Sequence, residues 1–228
     1  MPNILDFLDF FSFLQGTLGV IVVLTTAATI FVVRDWRLSL ISLAIQYLVV
    51  GLLFAEVLLP HLAFMKVIVG LFITLILYIT ARQVNWGSLP IDVSPEEAVQ
   101  LKQERLIRLG PYMLPTDAPF RLFLGLTIAL IVFAVSQRAL LQLPVVSSDF
   151  GSAIIGLVAY GLVGMSLTTE PLKAGLGLLT FMTGFELFYS SLEQSVAMLV
   201  MLAVTNLILA LAISYLVQAR HAYRQLLD

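Results

Sequence analysis

Cysteine is absent from the 228 residues, which excludes disulfides, thiolate catalysis and Cys-ligated metal or iron–sulfur centres. Histidine is nearly absent: His61 and His221 are too few and too far apart for a His-rich metal site. Charge is scarce as well. Twelve Lys plus Arg and fourteen Asp plus Glu make 11% of the chain, where a soluble domain carries about 25%. So few charges cannot coat a water-soluble globule of this size, which excludes a soluble enzyme, a nucleic-acid binder and a disordered segment. A net charge of −2 gives no global field that would steer the chain to DNA or anionic surfaces. No HExxH, GxSxG or Gly-rich phosphate loop occurs, and no histidine is placed to activate a serine. An intramembrane enzyme is therefore the least favoured reading. No catalytic centre, cofactor or metal is expected in this chain.

What is present is apolar: 60% of residues are hydrophobic, and the mean hydropathy is +1.03. A membrane-spanning helix needs roughly 20 mainly apolar residues. Seven segments meet that need, at about 15–33, 39–59, 63–81, 120–141, 152–168, 172–191 and 195–218. They lack the alternation of a barrel wall, so the expected fold is an all-α integral membrane protein. The stretch before the first span carries Asp6 and Asp9 but no Lys or Arg, unlike a signal peptide. Residues 3–14 read as an interfacial segment.

Orientation follows from the basic residues. Arg34, Arg37, Arg82, Lys102, Arg105, Arg108, Arg121, Lys173, Arg220 and Arg224 fall on one side, Arg138 on the other, and Lys66 within a span. The positive-inside rule then puts the N-terminus outside and the C-terminus in the cytoplasm. Four regions follow: 1–82 with the interfacial segment and a three-helix group, 83–119 as a cytoplasmic loop, 120–151 as a connecting helix and outer loop, and 152–228 as a second three-helix group with a tail. In the loop, Ser94-Pro95-Glu96-Glu97 reads as a capping box. It predicts an amphipathic helix over 95–109, with Glu104 and Arg108 paired at i,i+4 and Gly110-Pro111 as the stop. That helix is either a solvated linker or a docking element for a cytoplasmic subunit. The groups 1–3 and 5–7 end alike, on Leu77-Tyr78-Ile79-Thr80-Ala81-Arg82 and Tyr215-Leu216-Val217-Gln218-Ala219-Arg220. Such parallel repeats occur in transport proteins.

An ionisable residue in hydrocarbon costs roughly 2.5–3.5 kcal/mol, so each one is a functional candidate. Glu56 and Lys66 flank the turn at Pro60-His61 at equal distance. Antiparallel helices would bring them to similar depth as an ion pair; alternatively Lys66 snorkels to headgroups. Glu186 lies deeper, about 14 residues or roughly 21 Å past the inner start of its helix. Thr183, Ser190 and Glu193, at i−3, i+4 and i+7, share one polar stripe with it, while Gly175, Gly177 and Gly184 permit close helix approach. Glu193 is expected at the outer interface. Asn206, beside Thr205, is placed to hydrogen-bond a facing carboxylate or water, or else serves as interhelical glue; Gln46 has the same two readings. Glu186 is the foremost candidate for reversible protonation, with structural pairing as the bland alternative.

Residues 152–220 resemble the small three-helix K-type subunit of complex I and its cation-antiporter C-type relative. The resemblance rests on Thr183-Gly184-Phe185-Glu186-Leu187, similar to that family's Gly-Leu-Glu. The whole chain is similar to the E component of hydrogenase-4-type complexes, through Arg37-Leu38-Ser39, Lys66 and Tyr78-Ile79-Thr80-Ala81-Arg82. The resemblance implies a noncatalytic, multi-pass subunit of the prokaryotic inner membrane, within a proton- or sodium-translocating arm. It also implies antiporter-like and other membrane-arm subunits as partners. In that family two acids on successive helices form part of a polar axis. Glu186 matches the first, whereas Asn206 stands at the second. Either Glu56, Glu193 or a partner's residue substitutes, or the chain transmits coupling without carrying the ion. An autonomous small transporter with Glu186 as its ion site, and a purely structural anchor, are the competing readings.

Overall fold

The computed structural model describes residues 16–84, 106–109, 112–115, 118–136 and 148–225. Among the described residues there are seven helices: α1 (Thr17–Val32), α2 (Trp36–Val57), α3 (Pro60–Gln83), α4 (Ala118–Ser136), α5 (Ser148–Ser166), α6 (Pro171–Leu192) and α7 (Val196–Gln225). Their starts follow from local chemistry. Asp35 caps α2 by accepting a hydrogen bond from the Arg37 backbone N–H at 2.9 Å. Pro60 and Pro171 open α3 and α6, where a missing N–H costs nothing. All seven expected helices form, with α7 continuing beyond 218 to Gln225.

One segment departs from expectation. Leu106–Leu109 (β1) pairs antiparallel with Tyr112–Pro115 (β2), with Leu109 opposite Tyr112. The predicted helix over 95–109 therefore does not extend through its last turn, and Arg108 cannot join Glu104 at helical spacing. Gly-Pro separates these two short apolar runs, and that dipeptide is a turn signal between strands as much as a helix stop. The capping box at 94–97, the interfacial segment 3–14, and Lys102, Arg105 and Arg138 lie outside the described residues.

Among the described residues, four helices are long and apolar enough to cross a membrane: Trp36–Val57, Pro60–Gln83, Ala118–Ser136 and Val196–Ala222. Thr17–Val32 and Phe150–Ser166 are apolar but shorter. These helices indicate a membrane protein.

The packing pairs like with like. α1 packs on α5, α2 on α6 and α3 on α7, while α1–α2–α3 and α5–α6–α7 are joined in sequence order and α4 leans on α5 and α1. The central helices α2 and α6 are the most enclosed, and α4 leaves Phe120, Leu122, Phe123, Leu126 and Phe133 exposed. Glycine sets the closest approaches, as expected where apolar burial alone does not hold helices together in lipid. A Cβ on Gly177 would lie 2.7 Å from the Met165 backbone N of α5, one on Gly184 2.9 Å from Leu157 Cβ, and one on Gly175 2.6 Å from Ile213 of α7. One apolar core gathers α1, α2, α4 and α5 around Val23, Phe54, Phe150 and Leu157. A second gathers α2, α3, α6 and α7 around Leu43, Ile73, Leu176 and Ala210.

Among the described residues, Lys173, Arg121 and Arg220 sit at the helix ends near the C-terminus of α1 and the start of α6. Lys173 Nζ donates to Ile30 O (3.4 Å), Val33 O and Ser39 Oγ (2.7 Å). Arg121 donates to Phe31 O, and Arg220 to Thr169 O. Lys173 thus sits at this end as expected, but buried, neutralising the free carbonyls at the C-terminus of α1.

Candidate functional site

α3 carries a buried stripe at Gly70, Ile73 and Leu77. Lys66 stands one turn before Gly70 on that same face, since residues four and seven apart align on a helix. The stripe turns toward α6 and α7, and there Lys66 meets Glu186. Nζ and Oε1 are 2.8 Å apart, with the two side chains only 9% and 4% exposed. Asn206 of α7 donates from Nδ2 to the same Oε1 at 3.1 Å. One carboxylate oxygen thus receives a charged and a neutral donor, as a buried charge requires. The Lys66 ammonium also lies 5.7 Å from the centre of the Phe54 ring, within cation–π range.

The expected Glu56–Lys66 pair does not form. Glu56 is exposed on the last turn of α2 and accepts a hydrogen bond from the Gly16 backbone N–H at 3.1 Å, at the start of α1. Equal depth in a hairpin says nothing of direction around the helix axis, and Lys66 points into the bundle. Glu193 follows the last residue of α6, where it is exposed and accepts from Tyr189 Oη at 2.6 Å. Asn206 does hydrogen-bond a facing carboxylate, one of its two readings, and the same contact ties α7 to α6 as the other reading has it. Thr183 returns its hydroxyl to Leu179 O. Gln46 and Ser190 are fully buried, and neither amide atom of Gln46 nor Ser190 Oγ has a hydrogen-bond partner. Of the candidates, then, Glu186, Lys66 and Asn206 converge, with Thr183 at the margin; Glu56 and Glu193 do not.

Tyr47 is the residue that sequence reading passed over. Its ring packs on Gly70, where a Cβ would collide with it. Its hydroxyl reaches the pair's surroundings, beside Thr183 and within electrostatic reach of Glu186, but makes no hydrogen bond. The available signal was a phenol in the middle of an apolar span, next to Gln46. Tyr47, Lys66, Thr183, Glu186 and Asn206 line one small cavity closed by Gly51, Phe54 and Gly70. Among the described residues no group of three His, Asp or Glu is placed to hold a metal ion.

Compared with known proteins, the chain matches no family model, no curated protein and no solved structure.

Proposed function

We propose that this chain is a noncatalytic membrane subunit of a multisubunit proton- or sodium-translocating complex of the complex I, membrane-bound hydrogenase or cation-antiporter type, with the Lys66–Glu186 pair as its protonatable site. The observation that carries the reading is that pair: a carboxylate and an ammonium 2.8 Å apart, enclosed among apolar helices. Membrane proteins place such groups on ion paths and proton relays. Asn206 does not interrupt a polar axis in this reading; it orients Glu186, and Lys66 takes the place of a second acid. The like-with-like packing of α1–α3 on α5–α7 supports it further, because parallel repeats are a recurrent plan of transport proteins. The site bridges the two halves, with Lys66 from the first and Glu186 and Asn206 from the second. All seven helices cross the prokaryotic inner membrane here, with the basic end in the cytoplasm, following the positive-inside rule.

Partners are antiporter-like membrane-arm subunits, lipids, and a cytoplasmic subunit at loop 83–119. Glu186→Gln tests the reading in the assembled complex. The variant should assemble normally and lose ion translocation, whereas unchanged translocation would leave the pair a structural staple.

A further inference from the structure

Two of the residues that line the cavity beside the pair each carry a buried polar atom without a hydrogen-bond partner: Tyr47 Oη and Asn206 Oδ1. Tyr47 is 6% exposed and Asn206 2%. A buried hydroxyl or amide oxygen left without a hydrogen bond costs about 1–3 kcal/mol, and native proteins satisfy nearly all such groups, often through an internal water. The cavity is small, with room for about one water. An empty cavity of this kind stays dry when its walls are apolar. These walls are not: Tyr47, Asn206 and Glu186 are among the residues that line it.

We propose that the cavity between α2, α3, α6 and α7 holds one bound water, which accepts from Tyr47 Oη and donates to Asn206 Oδ1 next to the Lys66–Glu186 pair. Asn206 fixes the polarity of the arrangement. Its Nδ2 donates to Glu186, so its Oδ1 is turned away as an acceptor and requires a donor. Tyr47 has an O–H to give, and its ring is held against Gly70, so the hydroxyl cannot swing out to solvent without unpacking α3. A water offers both complements at once. A sodium ion is a poorer occupant. It requires several oxygen ligands, and the ammonium of Lys66 already occupies the cation position at Glu186 Oε1.

The inference concerns the occupant of the cavity and draws on the proposed function only for its purpose, which is to give the pair a proton-exchanging neighbour. Infrared spectra of the assembled complex in lipid, compared between ordinary and heavy-oxygen water, test it. We expect a sharp isotope-sensitive O–H stretching band that is lost in Tyr47→Phe and in Asn206→Leu and unchanged by sodium chloride in place of potassium chloride. Tyr47→Phe keeps the ring on Gly70 and preserves the fold, so it decides the matter should Asn206→Leu fail to assemble. Absence of any such band, survival of the band in Tyr47→Phe, or its loss on adding sodium would overturn the water. Ion flux in Glu186→Gln is a separate readout: a band present with undiminished flux would leave the water standing and overturn the functional reading.

Discussion

Removing one charge from the Lys66–Glu186 pair strands the other in a site closed off from bulk water. At 2.8 Å and an effective dielectric constant of ~20, the attraction within the pair is about 6 kcal/mol before desolvation is subtracted. Desolvation cancels much of it, so the intact pair contributes little net stability. A broken pair is different. Glu186→Gln leaves an uncompensated ammonium, Lys66→Met an uncompensated carboxylate, and each is expected to cost about 3–5 kcal/mol. The double variant buries no charge. It retains the Asn206 contact through the glutamine and should lose no more than about 3 kcal/mol, against roughly 6–10 kcal/mol for independent effects. In thermal melts of the purified protein in detergent, followed by a tryptophan or dye signal, each single variant should fall by about 6–20 °C, taking ~2–4 °C per kcal/mol. The double variant should recover most of that loss. Additive melting shifts, or single variants that melt like the native chain, would refute the claim that the pair is enclosed and mutually dependent.

Other perturbations test the frame around the site. Gly177→Ala puts a methyl 2.7 Å from the Met165 backbone N, where no flexible side chain can yield; it should cost about 1–3 kcal/mol, read as a lower melting temperature with α5 and α6 pried apart. Lys173→Leu removes the donor from the C-terminal carbonyls of α1 and should destabilise by about 1–3 kcal/mol, visible as faster amide exchange in the last turn of α1. The absence of native cysteine makes orientation simple to map: single cysteines at Arg34 and Thr168 should react with an impermeant reagent only from the cytoplasmic side, and one at Glu193 only from the opposite side.

The helices were legible because apolar runs of membrane length stand out against loops that hold most of the charge. The pairing partner of Lys66 was not. It lies 120 residues away in sequence, and its choice depends on which face of α3 turns inward. In a soluble helix the polar face would reveal that direction, but here the outward face is as apolar as the core: Met65, Leu71, Phe72 and Leu75 are exposed while Ile73 and Leu77 are buried. A signal did exist in the spacing of Lys66, Gly70, Ile73 and Leu77, where the glycine marks the close side. Glu186 and Asn206 were legible because each is polar in the middle of an apolar span, and their contact follows from adjacent helices α6 and α7. Tyr47 was overlooked because tyrosine counts as apolar in composition, and only its neighbours show that its hydroxyl is buried. The strand at Leu106–Leu109 was hidden by a capping signal upstream of it, since a helix start does not specify how far the helix runs.

The most direct test of the functional claim is ion flux into sealed vesicles that contain the intact assembly, measured for Glu186→Gln beside Glu56→Gln. Glu56 is exposed at a helix end, so its variant should transport as the native protein does. Glu186→Gln should assemble and transport nothing. Native flux in an assembled Glu186→Gln complex would contradict the account.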